Sequence, residues 1–333
     1  MLTVLFATRN RSGILRNVLE SFCHLQSPPS GWKLVIVDNG STDETAQVIA
    51  SFAKRLPLHS VLEPKLGKNS ALNTGLGLVE GDLTVLTDDD VFPHADWLVQ
   101  LRKAADAHPE CSMFGGAVVP RWEVRPPHWI RWGIDPCPPK HRICGPLFTL
   151  TDPSLQEGPI SPWLIYGPNM AIRTGVFRSG ARFDSSIGPN GSSYAMGSET
   201  EILLRLSLHG HQGWHVRDAV VEHFVRKEQL NKAWILQRAI RSGRGRYRLS
   251  ANVKLWMGIP RHVFLGVSRE ILYVAIKAVL LRDDSLFRSR LRLNVLRGEA
   301  IEARIIGRER RARAQLASSM GAPCGDTGER TSN

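Results

Sequence analysis

The chain opens on an apolar run at residues 3–7, followed by a polar turn, Thr8-Arg9-Asn10-Arg11-Ser12-Gly13. Over residues 14–25 the side chains of Ile14, Val18, Leu19, Phe22 and Leu25 recur at helical spacing, which predicts an amphipathic helix. A loop at 26–31 leads to a second apolar run, 34–37, that ends at Asp38. The polar stretch 39–44 then enters a helix predicted over 44–56, with Ser41 or Thr42 as its cap. A third apolar run, 83–86, ends in three consecutive carboxylates, Asp88, Asp89 and Asp90, and Pro93 is expected to stop that strand. Strands that are apolar without alternation, separated by helices, predict an α/β fold with a mostly parallel, Rossmann-like sheet flanked by helices. Such sheets take ligands beyond the carboxyl ends of their strands, where Thr8, Asp38 and the three aspartates all fall.

Further along, Lys68 stands between Gly67 and a helix start, in reach of a phosphate or of the acids that bind one. Residues 121–163 are rich in tryptophan and proline and predict an irregular excursion that fills a small subcore or packs on a sugar or an apolar acceptor. A turn then places Asn169 before an apolar strand, and Glu199 opens a helix, where the helix dipole favours a carboxylate in any case. His223 sits in the middle of the apolar run 220–225, either as a hydrogen-bonded core residue or as an imidazole ligand. From Lys227 the texture changes. A basic amphipathic helix is predicted over 233–248, broken by Gly243 and Gly245. Residues 253–281 are apolar but interrupted by charges and split by Pro260, which fits a helical hairpin in a membrane interface or a helical layer docked on the sheet.

Charge and cysteine narrow the classes. The net charge is +12, from 43 basic and 31 acidic residues, and ten of the arginines fall within 282–313. Such a segment suits an anionic partner (a phospholipid surface, nucleic acid or a polyanionic substrate) or a salt-bridged solvated helix. It carries no nucleic-acid-binding motif, so no nucleic acid is expected. Five cysteines without CxxC spacing indicate neither a disulfide framework nor zinc, so a reducing compartment is the default. The opening residues read as a first strand and not as a secretory leader, and no uncharged apolar run reaches transmembrane length. The expected location is the cytoplasm, with peripheral attachment at the inner face of the cell membrane. The expected division is a catalytic unit over 1–225, with halves at about 1–120 and 121–225, a helical basic region over 226–317 and a disordered tail over 318–333.

Three adjacent like charges at a strand end can be relieved by solvent, as in an ordinary turn, or by a hard divalent cation such as Mg²⁺ or Mn²⁺. The chain has no G-x-G-x-x-G after its first strands and no phosphate-binding P-loop, which leaves a dinucleotide fold without its fingerprint. A nucleotidyltransferase would need a glycine-rich triphosphate loop near the first strand, and residues 8–13 do not supply one. A non-catalytic sugar-binding scaffold on a membrane is the other alternative, and it would be favoured by a missing metal acid or base.

Taken in order, the motifs Thr8-Arg9-Asn10-Arg11, Asp38-Asn39-Gly40-Ser41-Thr42-Asp43, Gly67-Lys68-Asn69-Ser70, Thr87-Asp88-Asp89-Asp90, Gly167-Pro168-Asn169-Met170 and Gly197-Ser198-Glu199-Thr200-Glu201, with His223 last, resemble those of family 2 glycosyltransferases of the GT-A fold. The resemblance covers about residues 1–248 and implies a UDP-, GDP- or dTDP-sugar donor, a Mg²⁺ or Mn²⁺ ion, and inversion at the anomeric carbon in one displacement. It further implies that the backbone at Thr8 and Asn10 and the side chain of Asp38 hold base and ribose, that Lys68 lies near base or phosphates, and that Asp88 and Asp89 orient ribose and sugar. Asn169 belongs to the same donor-binding set. Asp90 would ligate the metal, completed by His223. Where the family commonly shows Gly-Glu-Asp-x-Glu-Leu, this chain has Gly197-Ser198-Glu199-Thr200-Glu201-Ile202, so Glu199 falls on the position of the general base and Glu201 is the reserve. The implied acceptor is a saccharide or a lipid-linked saccharide.

Overall fold

The computed structural model describes residues 1–127, 129–130, 145–191, 194–250, 253–279 and 283–320. Strands β1 (Leu2–Thr8), β2 (Trp32–Asp38), β3 (Leu58–Leu62) and β4 (Leu83–Leu86) alternate with helices α1 (Ser12–Phe22), α2 (Thr45–Ser51) and α3 (Lys68–Gly75). β3, β2, β1 and β4 lie side by side and parallel. The chain continues through β5 (Val91–Pro93), α4 (Trp97–Ala107), β6 (Cys111–Trp122), β7 (Gly158–Pro159), β8 (Met170–Arg173), α5 (Thr174–Arg178), α6 (Ser198–Leu208) and β9 (Gln212–Val225). These strands extend the sheet in the order β4-β8-β6-β9-β5, with β8 antiparallel to both its neighbours and β9 parallel to β6.

Both faces of the sheet are buried, which is why its strands read as continuous apolar runs. Successive residues of one strand feed opposite cores. Val4, Phe6, Leu34 and Ile36 pack with Phe22 of α1 and Trp97 of α4, while Leu5, Val35 and Val37 pack with Leu72 of α3 and Leu203 of α6. Phe22 and Trp97 meet edge to face at 6.2 Å, a favoured aromatic geometry.

Local details differ from the sequence reading, each for a physical reason. Neither Ser41 nor Thr42 caps α2. Asp43 accepts the Thr45 N–H at 3.0 Å and the Ser12 N–H at 3.1 Å, and so ties the second helix to the first. Ser41 Oγ instead accepts the Asn10 N–H. After the aspartates the chain forms one more short strand, β5, which pairs antiparallel with β9 and ends at Pro93, and an edge position tolerates the missing N–H.

Beyond the sheet, α7 (Lys232–Leu249) is one unbroken helix, capped by the Asn231 side chain on the Trp234 N–H. Gly243 and Gly245 do not break it. A Cβ at Gly243 would lie 1.9 Å from the Val295 carbonyl oxygen, and one at Gly245 would lie 1.7 Å from that of Met196, so these glycines are where other backbones touch the helix. The apolar segment is a two-strand ribbon, β10 (Leu255–Trp256) and β11 (Ile259–Pro260), followed by α8 (Arg261–Val279). α9 (Asp283–Met320) packs against α7 through two buried glutamates: Glu302 accepts from Arg244 at 2.6 Å and pairs with Arg248, and Glu299 pairs with Arg246 at 3.2 Å. Most of the expected disordered tail, from residue 321 on, lies outside the described residues, as do Cys137, Cys144 and Cys324. Cys23 and Cys111 are free thiols.

The α7–α9 contact gives a test. Alanine for glycine inside a helix normally stabilises by about 0.8–1 kcal/mol through propensity, whereas forcing atoms into a closed contact costs roughly 1–3 kcal/mol or more. For Gly243→Ala the contact wins, and chemical denaturation should show a net loss of stability. A gain would mean that the two helices do not touch at that point.

Candidate active site

Strand register assembles the site. Leu86 of β4 lies opposite both Leu5 of β1 and Met170 of β8, so the residues after it emerge between the β1 end and the turn at Gly167–Asn169. Thr87 Oγ1 fixes that exit by donating to the Pro168 carbonyl at 2.8 Å. After the aspartates the chain re-enters the sheet, and Val91 pairs with His223. Residues more than a hundred positions apart in the chain are brought together in this way.

Thr8 Oγ1, at the end of β1, donates to Asp89 Oδ2 at 2.7 Å. Lys68, in the first turn of α3, donates to Asp88 Oδ1 at 2.6 Å and to Glu199 Oε1 at 2.7 Å, a single ammonium shared by two walls of the cleft. The second Glu199 oxygen accepts from Ser198 Oγ at 2.7 Å. The carboxylate lies directly on Gly167, where a Cβ would sit 2.8 Å from Oε1, so the absent side chain there makes room for it. Arg11 approaches from α1's entrance, 3.9 Å from Asp89 and 4.0 Å from Asp90. Its position in the polar turn after the first strand was the only signal for it.

The His223 ring is oriented by the backbone. Nδ1 lies 2.8 Å from the Phe148 carbonyl oxygen, which can only accept, so Nδ1 carries the hydrogen. Nε2 is thereby left facing Asp90 Oδ1 at 3.5 Å. The charges respond to this crowding. Burial, and then repulsion from Asp90, push the Asp89 carboxyl up to about 7. Burial would also raise Asp90, but His223 and Arg11 outweigh it and hold Asp90 below the ordinary carboxylate range. Burial likewise opposes the ionised form of Glu199, yet attraction to Lys68 and its hydrogen bond bring it down to about 2. Lys68 is raised in turn, because Asp88 and Glu199 overcome its own burial. His223 is raised above its usual value by Asp90 despite its burial.

These groups line a cleft of about 590 Å³, within the roughly 300–1,000 Å³ typical of ligand sites. Thr8, Lys68, Asp88, Asp89, Asp90, Glu199 and His223 all face it. Three expected residues do not line it. Asn10, in a left-handed conformation at φ 52°, accepts the Thr42 N–H at 2.7 Å and shapes the neighbouring turn. Asp38 accepts the Ser41 N–H at 2.9 Å, and its neighbour Asn39 reaches the cleft in its place. Asn169 is wholly buried, accepting from Trp97 Nε1 and donating to the Ala117 and Ala219 carbonyls, so its side chain ties β6 to β9 and α4. Glu201, the reserve carboxylate, is held by Arg205 at 2.9 Å and 3.0 Å. Conversely, Trp234, Arg238 and Arg241 of α7 line the cleft. Their i, i+4, i+7 spacing places them on one face, a sign that the basic composition of that segment concealed.

No group of three or more histidine, cysteine or acidic side chains able to enclose a metal is present among the described residues. Asp90 and His223 nevertheless offer an oxygen and a tautomerically fixed nitrogen side by side. That donor set fits Mg²⁺ or Mn²⁺, which commonly keep water and substrate phosphate oxygens as remaining ligands.

The comparisons agree with this layout. Residues 3–157 match the family model described as glycosyl transferase family 2. A validoxylamine A glucosyltransferase from Streptomyces hygroscopicus subsp. limoneus is 26% identical over 226 residues, 63% of this chain and 48% of the relative. A beta-monoglucosyldiacylglycerol synthase from a Nostoc species is 28% identical over 103 residues, 30% of this chain and 22% of the relative. The chain thus spans less than half the length of either relative. Among solved structures, the mannosyltransferase PcManGT from Pyrobaculum calidifontis, in complex with GDP-Man and Mn²⁺, superposes with a TM-score of 0.61 at 18% identity, covering 91% of this chain and 86% of that one. Residues 3–157 therefore resemble glycosyl transferase family 2, and the chain shares the GT-A fold of the PcManGT structure.

Proposed function

We propose that the protein is an inverting glycosyltransferase that moves a sugar from a nucleoside-diphosphate sugar to an acceptor hydroxyl. The observation that carries this reading is the single cleft in which Lys68 joins Asp88, on the side of Asp90 and His223, to Glu199 on the opposite wall. The two relatives named above are a glucosyltransferase and a glycolipid synthase, and the PcManGT structure holds a nucleotide sugar with Mn²⁺. Asp90 and His223 would hold Mg²⁺ or Mn²⁺, and the bound ion would offset the negative charge on a departing nucleoside diphosphate. Lys68, at the opening of the cleft's acidic wall, is placed to exchange a carboxylate for a phosphate oxygen.

Glu199 is ionised at neutral pH and can receive a proton. As the acceptor oxygen bonds to the anomeric carbon, its hydrogen passes to Glu199, and the bond from that carbon to the diphosphate breaks on the other face. One such displacement inverts configuration. The Lys68 contact holds the basicity of Glu199 down, and any loosening of that contact by the donor strengthens it as a base.

The reading extends to an anionic membrane surface. No helix among the described residues is long and apolar enough to cross a membrane. α8, however, is apolar on two opposite faces. Val263 and Gly266 lie toward α9, whereas Leu265, Leu272 and Ile276, spaced i, i+7 and i+11, are exposed, Leu265 at 77%. Trp256 and Met257 at the ribbon tip are exposed as well, Met257 at 80%. Apolar surface of this extent with arginines at its border suits an interfacial position.

Two outcomes test these proposals. Glu199→Gln should lower donor turnover on the order of 10²–10⁴-fold while donor binding persists, as befits loss of a general base; unchanged turnover in a rate assay would remove Glu199 from that role. Leu272→Glu combined with Ile276→Glu should abolish most cosedimentation with anionic vesicles and leave the melting temperature unaltered. Equal cosedimentation would place the membrane contact elsewhere. Deleting α9 is a poorer test, because it would strip the partner from α7.

A further inference from the structure

The arginines of α7 divide into two sets. Arg244, Arg246 and Arg248 face α9 and are neutralised by Glu299 and Glu302. Arg238 and Arg241 face the cleft, and neither forms an ion pair with a described residue. Both are held rigidly by other means. The Arg238 guanidinium lies over the Trp234 ring at 5.2 Å, Trp234 stacks on Phe148 at 5.7 Å with ring planes 8° apart, and Arg238 Nε donates to the Leu147 carbonyl. The next carbonyl along, that of Phe148, accepts from His223. Consecutive peptide groups therefore fix Arg238 beside the Asp90–His223 pair.

Arg241 is anchored on the other side. Its guanidinium lies over the Tyr194 ring at 5.2 Å, and its carbonyl accepts the Met196 N–H at 3.1 Å, just before the turn that leads to Glu199. Burial lowers the Arg238 pKa, against the pull of Asp90 and Asp88. Two guanidiniums that are preoriented on aromatic rings and form no ion pair among the described residues make a receptor for a planar or tetrahedral oxyanion.

We infer that Arg238 and Arg241 bind a phosphate group carried by the acceptor. This rests on the glycosyltransferase reading and deepens it, because the Arg241 carbonyl holds the Met196 N–H, three residues before Glu199, and Arg241 lines the same cleft as that carboxylate. The acceptor class is then a phosphorylated or phosphodiester-linked hydroxyl compound. A diphosphate of the donor has the same chemistry, and the two sources separate by experiment.

The full chain is saturated with Mg²⁺ and either UDP or GDP and then titrated with inorganic phosphate, followed by phosphorus NMR. Phosphate should bind in the presence of the nucleotide. Arg241→Ala, and the double variant with Arg238→Ala, should weaken phosphate binding about tenfold or more, with nucleotide affinity changed less than about twofold. Arg241→Lys should retain part of the binding. Equal loss of nucleotide affinity would assign the arginines to the donor, and phosphate binding that is absent or unaltered by the substitutions would overturn the site. Melting curves for each variant guard against unfolding, and Arg241, partly exposed, is the safer substitution. Failure of any nucleotide to bind the wild-type chain would count against the glycosyltransferase reading. In that case the phosphate titration without nucleotide still decides whether the two arginines bind an oxyanion.

Discussion

Four carboxylates face one cleft, and the architecture around them is set by the need to offset their repulsion. Asp88, Asp89 and Asp90 leave a parallel strand together, and Glu199 arrives from the opposite side on a helix start. Lys68 spans two of them, His223 leans on a third, and Arg11 stands off at about 4 Å. The balance is incomplete, as Asp89 shows by its rise to about 7. A site of this kind is poised to take up cationic charge, which the proposed divalent ion would supply. The protein side is already arranged: the Phe148 carbonyl has set the histidine tautomer, and Gly167 has cleared the space for the Glu199 carboxylate.

Much of this was legible in the sequence. The β1–α1–β2–α2 rhythm follows from apolar runs buried on both faces, and strand ends must converge where such a sheet binds ligands. The resemblance pairs Asp90 with His223, and strand register places them beside each other. Other assignments are harder to read. The resemblance implies the Asn10 backbone and the Asp38 and Asn169 side chains at the nucleotide, and all three side chains also serve the fold. An asparagine or aspartate in a turn reads identically whether its side chain serves a ligand or the fold. Asn169 is the clearest instance, since only the tertiary arrangement of β6, β9 and Trp97 reveals what it bonds to.

The C-terminal part was the least legible, for a different reason. Glycine inside a basic helical pattern signals a break if propensity decides, and a close approach if packing decides. In α7 packing decides, because α9 and the Met196 segment press on the helix at Gly243 and Gly245. Arginine counts are similarly blind to direction. One face of α7 is neutralised by buried glutamates and the other looks into the cleft, so a segment that reads as a uniform basic extension completes the site with three side chains.

The most direct test of the account is donor binding and its dependence on a divalent ion. Calorimetric titration of the chain with UDP-, GDP- and dTDP-sugars, with Mn²⁺ or Mg²⁺ and again with chelator, should select one nucleotide, lose that binding on chelation, and lose it in Asp90→Ala. Binding that ignores both the chelator and Asp90→Ala, or a folded chain that binds none of the three donors, would contradict the reading of this cleft as a metal-assisted glycosyl transfer site.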